Sequence, residues 1–417
     1  MTQRIELGQI IDAAPARVVV TRDLAGSPTQ AAFDLSGLPR VDSFLVGRPV
    51  LEVPKLVERL CGICPVAHHL AGMRALEALA GIDALPPTAV AVRRLLHHAG
   101  VIDIHAVGMF STFRDEALAL RRFAKAVMTA AGSPGHFPTT AVPGGVVAPA
   151  DVTQLDTCHV LLTDAFSAAS RIAEQSLALS APVDRFCGVD LALTGADGRL
   201  DLFGNALRAV AADGNPVIAA ATAYEWDSLI VETVPGSATP KPYLVALGAD
   251  AGAYRVGPVA QLRTGQVMTP IAASLQREWR ASGAGAAAAR AIITVHAIEV
   301  IEDLLDSPDL IAGESSVGFP QVLPQQVGVG WVDSARGLLV HRYESDEQGR
   351  VRAATILTPT AQNEPWLGEL LLQAAGAENN SEVRAGMEEA IREADPCLPC
   401  SSAPAGTMDL VVDSVVG

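Results

Sequence analysis

The sequence predicts an α+β fold, mainly α, in which a central bundle of long helices carries peripheral β-hairpins. Three observations predict it. Apolar residues recur at three- and four-residue spacing over long stretches, as helices with a buried face require. Shorter β-branched runs alternate around Gly, Pro and Asp turn signals. At 417 residues with 49% apolar content the chain can bury a large core, while no uncharged apolar run reaches membrane-spanning length, so no membrane span is expected.

Taken in order, residues 1–49 read as an N-terminal β region with a hairpin over 16–36, turning at Gly26-Ser27-Pro28. From about Val50 to Ala131 the pattern is helical, with Gly81 and Pro86–Pro87 ending one helix and admitting the next. The segment 133–146 is too rich in Pro and Gly for regular structure. Residues 151–179 and 269–306 read as further long helices, and residues 188–262 between them as a β-rich excursion. Alternation returns over 328–357, a hairpin turning at Asp346–Gly349. No repeat divides the chain, so residues 1–417 read as one intertwined domain.

A net charge of −16 provides no electrostatic reason to bind nucleic acid. The opening residues lack a basic-then-apolar signal pattern, and a cytoplasmic location is expected.

Four of the six cysteines form two C-x-x-C pairs near opposite ends, Cys61/Cys64 and Cys397/Cys400; Cys158 and Cys187 stand alone. Two thiolates three residues apart can share one metal, because a turn or helix start brings both sulfurs to one side. His68 lies four residues after Cys64, on the same face of any helix beginning there, where its N–H can donate to the Cys64 sulfur. Arg59 supplies positive charge favouring thiolate. Pro396 and Pro399 stiffen the second pair, and Asp395 stands two residues before its first thiol. On spacing alone three other readings stay open: a redox C-x-x-C, a four-thiolate zinc site and chance pairing.

R-x-C-G-x-C-x-x-x-H (Arg59 to His68) together with D-P-C-x-x-C (Asp395 to Cys400) resembles the paired signature of [NiFe] hydrogenase large subunits. The likeness runs over almost the whole chain; residues 47–71, 242–262, 296–310 and 328–343 resemble the cytoplasmic NAD-reducing branch. The resemblance implies that Cys61 and Cys397 are terminal nickel ligands and that Cys64 and Cys400 bridge nickel and iron, the iron carrying cyanide and carbon monoxide. It implies that Arg336 overhangs the metals, paired with Asp395, and that the Thr360 hydroxyl donates to an iron-bound cyanide. Asp42 matches the position of a magnesium ligand, and His105 lies in a helix near the site. The implied partners are H2, maturation factors, a flavin module that reduces NAD, and an iron–sulfur small subunit.

The pattern departs from the family at three places. Ala13 stands where a proton-relaying glutamate is expected, with Glu6 in an early echo of that motif. Ala403 replaces a magnesium-binding histidine, and residues 404–417 resemble the extension that a maturation protease removes. These departures motivate an alternative expectation, a slow or non-catalytic H2-sensing relative that keeps the metal ligands.

Overall fold

The computed structural model describes residues 16–36, 41–60, 62–179, 181–235, 237, 239–398, 401 and 403–416. Its body is built from α1 (Val53–Leu60), α2 (Pro65–Leu79), α3 (Pro87–Met109), α4 (Arg114–Ala130), α5 (Val152–Leu177), α6 (Pro258–Thr264), α7 (Pro270–Ser282), α8 (Ala286–Leu305), α9 (Glu364–Ala375) and α10 (Asn380–Ala394). Proline opens α2, α3, α6 and α7, a position where its missing N–H costs nothing. Asp151 caps α5, its carboxylate accepting the Thr153 N–H at 2.9 Å. Left-handed Gly283 splits the predicted helical run 269–306 into α7 and α8.

The long helices α3, α4, α5 and α8 pack in a closed ring, each against the next. Ala289, Ile292, Ile293, Val295, Ile298 and Ile301 of α8 are all buried, so this helix is apolar on every side and sits inside the body. Among the described residues no helix is long and apolar enough to cross a membrane.

The strands are peripheral. β1 (Ala16–Arg22) and β2 (Pro28–Phe33) make the expected N-terminal hairpin. β3 (Val189–Thr194), β4 (Ala206–Val210), β5 (Pro216–Ala221) and β6 (Tyr254–Arg255) form a sheet of order β6-β3-β4-β5. β7 (Val327–Ser334), β8 (Gly337–Ser345) and β9 (Val351–Leu357) form an antiparallel meander. β10 (Leu410–Val416) pairs in parallel with β1, from Ala16 opposite Leu410 to Arg22 opposite Val416. Arg384 of α10 anchors that strand by donating to the Met408 and Leu410 carbonyls at 2.8 and 3.0 Å.

The α+β, mainly α class is as predicted, and two local expectations change. The predicted hairpin over 328–357 is a meander, because a second tight turn lies at Ala335–Arg336 in addition to that at Asp346–Gly349. The segment 133–146 carries a two-residue ladder, Ala141–Val142 with Gly145–Val146, made possible by the positive φ of Gly144.

Candidate metal centre

The first cysteine motif is the connection from α1 to α2. Cys61 lies outside the described residues. Cys64 is the N-cap of α2 (φ −126°, ψ 50°), with Pro65 as first helical residue, so its half-buried thiol sits at the positive end of a helix. Two contacts that sequence reasoning missed hold this turn. Glu58 of α1 meets His69 of α2 at 2.9 Å, both buried, and clamps the helices together. His136 donates Nε2–H to the Gly62 carbonyl at 2.8 Å. An acid and a histidine flanking the motif were the only available signal.

The second motif begins where α10 stops. Asp395 takes a left-handed conformation (φ 47°), which aspartate tolerates better than most residues, and Pro396 prevents the helix from resuming. The Cys397 N–H then donates to Thr360 Oγ1 at 2.9 Å. Having accepted that bond, the Thr360 hydroxyl still has its own proton to donate. Cys400 lies outside the described residues.

Cys64 Sγ and Cys397 Sγ, from opposite ends of the chain, stand 3.6 Å apart. A disulfide needs about 2.05 Å. Two sulfurs at metal–thiolate distance, with ligand–metal–ligand angles between a right angle and tetrahedral, lie roughly 3.2–3.8 Å apart. The pair therefore fits two thiolates on a shared metal.

Arg336 occupies the tip of the β7–β8 turn. Its carbonyl packs so closely on Gly257 that a Cβ there would lie 2.7 Å away, and a Cβ on Gly337 would lie 2.5 Å from the Gly257 nitrogen. These two positive-φ glycines allow the turn to seat against the start of α6. From α3, His97 Nε2 and His105 Nε2 bond the Asp333 and Ala335 carbonyls at 3.0 and 2.8 Å. The tip is thus tied down on two sides.

The buried Arg336 guanidinium reaches Asp395, Nε to Oδ1 at 3.2 Å. Among the described residues neither Nε nor Nη1 makes a hydrogen bond, so the Nε contact with Asp395 is an ion pair. Burial opposes the arginine's charge, yet Asp395 and the Cys397 and Cys64 thiols more than offset it, and its pKa rises. For Asp395 burial likewise opposes charge, but Arg336 and Arg290, the latter at 3.9 Å, hold the carboxyl below its ordinary value. Arg59, by contrast, is exposed, 6.0 Å from the Phe137 ring centroid. Arg336, far away in sequence, is coupled electrostatically to the Cys397 and Cys64 sulfurs.

His68 turns Nδ1 to His341 Nε2 at 2.9 Å, and His341 Nδ1 meets the Tyr343 hydroxyl at 2.6 Å. Burial pushes His68 down to about 4, with Cys397 acting in the other direction. Cys397 thus acts electrostatically on this ring, from the opposite end of the chain to the Cys64 motif that His68 follows. If Tyr343 donates to His341 and His341 to His68, the His68 Nε2 keeps its hydrogen as a donor.

Asp42 lies half-buried in the short helix Val41–Leu45, accepting the Ile356 N–H at 3.3 Å, and the Ala403 carbonyl accepts Arg392 Nε at 3.1 Å. Glu6 and Ala13 lie outside the described residues.

A sequence model of the family described as nickel-dependent hydrogenase matches residues 40–112. The chain is 28% identical to the NAD-reducing hydrogenase HoxS subunit beta of Cupriavidus necator, over 95% of this chain and 93% of that one. It is equally 28% identical to a chain of the F420-non-reducing hydrogenase of Methanothermobacter thermautotrophicus, over 93% and 92%. Among solved structures, the NAD+-reducing [NiFe]-hydrogenase in the H2-reduced state superposes with TM-score 0.80 at 28% identity, covering 92% of this chain and 95% of that one. A [NiFeSe] hydrogenase from Desulfovibrio vulgaris Hildenborough shares the fold at TM-score 0.66 and 16% identity, over 90% and 94%. In sequence and in fold, over nearly its whole length, the chain is thus similar to [NiFe] hydrogenase large subunits, and its residues 40–112 match the nickel-dependent hydrogenase family.

Proposed function

We propose that this chain is the catalytic large subunit of a hydrogenase that oxidises H2 reversibly and heterolytically, at a nickel–iron centre held by Cys61, Cys64, Cys397 and Cys400. The observation that carries the reading is the 3.6 Å approach of Cys64 and Cys397 beside a buried, ion-paired Arg336. When bound, the centre supplies Lewis-acidic metals that polarise H2.

The chain's own residues supply the surroundings. Arg336 holds the thiols toward the thiolate form and presents an Nη1 that is without a hydrogen bond among the described residues. Asp395 orients that guanidinium, and Thr360 fixes the Cys397 backbone while keeping a proton for a cyanide on iron. His68 contributes a neutral imidazole. Asp42 is the proposed magnesium ligand.

Once the two pairs are committed, Cys158 and Cys187 cannot hold an iron–sulfur cluster, so electrons leave through a cluster-bearing small subunit. A flavin module passing them to NAD fits the equal likeness to an NAD-reducing enzyme, as does a cytoplasmic location. The chain has no G-x-G-x-x-G loop for the nucleotide itself.

Purified protein co-expressed with maturation factors is expected to contain nickel and iron and to show infrared bands of metal-bound cyanide and carbon monoxide. Zinc alone, or no such bands, overturns the reading. A second reading, an H2-sensing relative, is favoured by Ala13 and Ala403 at positions where the family carries functional side chains. Intact infrared bands with H2-dependent dye reduction near zero decide for the sensor.

A further inference from the structure

Arg336 and Asp395 also line a second space, a cavity of about 240 Å³ counting its open mouth, which neither Cys64 nor Cys397 borders. Arg290, Trp366, Glu393 and Ala394 complete the part that matters here. Its enclosed portion has room for about one water. Trp366 Nε1 is buried without a hydrogen-bond partner among the described residues, so an unsatisfied polar group belongs to the wall of this space.

Glu393 is held there with some care. Its Oε1 accepts the N–H of Ala286, the first residue of α8. A Cβ at Gly285 would stand 2.5 Å from that oxygen, so glycine is required for the approach. Arg290 Nη2 donates to the Arg392 and Glu393 carbonyls at 2.6 and 2.7 Å, which locks the end of α10 to α8. Glu393 lines the cavity and is not fully enclosed, and the cavity's open mouth gives its carboxylate a path to solvent.

We propose that Glu393 is the carboxylate through which protons pass between solvent and the cavity behind Arg336, serving the cysteine site from that side. The inference rests on the hydrogenase reading, and it offers a route where Ala13 stands in place of the expected glutamate. A proton released at the cysteine site reaches the cavity water as hydronium. The hydronium gives it to the Glu393 carboxylate, forming the carboxylic acid and leaving neutral water, and the acid releases that proton to bulk water. No electron moves, and the Arg336–Asp395 pair stays charged.

Burial raises the proton affinity of this carboxyl above the ordinary value. Arg290 and the Ala286 N–H work against that from α8, while Glu389 on α10 and Asp184 on the segment before β3 add to it. Arg336 and Asp395 face it across the cavity. A carboxyl so placed takes up a proton more readily than one in water, as a relay near neutral pH needs.

The test is Glu393→Gln in the assembled complex, since the amide oxygen still accepts the Ala286 N–H. In wild-type protein, an infrared pH titration is expected to show a carboxylic-acid carbonyl band that shifts in D2O and is missing from the variant. With the metal-centre infrared bands intact, the variant's H2-dependent dye reduction falls about 100-fold. KM for H2 stays unchanged and the pH profile flattens, while Glu393→Asp recovers part of the rate. A variant with wild-type rate and pH profile overturns the proposal, as does a carboxyl band that persists in Glu393→Gln. Absence of metal-centre bands from the wild type sinks the hydrogenase reading instead, and the carboxyl band then decides the fate of Glu393 by itself.

Discussion

Cys64 and Cys397, the described cysteines of the two paired motifs, reach each other on opposite kinds of support. Behind Cys64 stand α2 and β8, whose contribution is a string of buried neutral groups, His68, His341 and Tyr343. Behind Cys397 stand the end of α10 and the β7–β8 tip, whose contribution is charge: Asp395 between Arg336 and Arg290. Both walls are largely buried, yet burial acts differently on each. An imidazole escapes the cost of burial by losing its proton, so the His68 wall holds position through tautomers. A guanidinium cannot lose its proton in a protein, so the Arg336 wall must carry a partner carboxylate and a fixed backbone. The site thereby gains a positive charge on one side and proton-bearing neutral donors on the other.

Acid charges buried neutral histidines, in this wall and elsewhere in the body, and the effect is the largest expected. Burial lowers His68, His97, His105 and His296 from 6.5 to about 4. Between those values the unfolded chain binds more protons than the folded one, so stability is intact above pH 6.5 and falls as pH drops toward 4. Each fully shifted histidine costs about 3 kcal/mol at the acid end. Urea midpoints, followed by tryptophan fluorescence, should decline steadily through this window; a flat profile down to pH 4.5 would contradict neutral, desolvated histidines.

Arg336→Met attacks the charged wall. It leaves Asp395 buried with the more distant Arg290 as its cation among the described residues, a loss of about 3–5 kcal/mol when one partner of a buried pair is removed. Denaturation of the variant should show that loss together with reduced nickel retention. A loss confined to about 1 kcal/mol would mean that the pair behaves as a solvated one.

Tyr343→Phe is the gentlest probe. It removes one buried hydrogen bond, worth about 1–2 kcal/mol, and frees the His341 tautomer. Nitrogen NMR of labelled histidine should show changed tautomer populations at His341 and His68 with little change in fold. Unchanged imidazole signals would indicate that the tyrosine does not set the string.

Much of this was legible beforehand because it is local. The helices over 50–131 follow from apolar spacing and from Pro65 and Pro87 at helix starts. Other features were not legible because they depend on distant partners. The turn at Ala335–Arg336 lacks a strong turn dipeptide and exists because Gly257 and Gly337 interlock and His97 and His105 hold the carbonyls beside it. Arg59 was legible as a source of positive charge by proximity in sequence, whereas Arg336, also coupled to the sulfurs, comes from 272 positions beyond Cys64. Nothing near Glu393 distinguishes it from an ordinary helix-end glutamate until Gly285 and Ala286 arrive from α8.

The sequence by itself determined the donor chemistry: two thiol pairs, an arginine after a strand, an aspartate before a proline, and helices long enough to bury them. Residue type and spacing are local properties that a chain carries whether folded or not. Only the tertiary structure decided that sulfurs 333 residues apart stand 3.6 Å from each other, which arginine they feel, and which histidine nitrogens remain available. Those outcomes depend on burial and on distance, and neither quantity exists until the core has closed around the site.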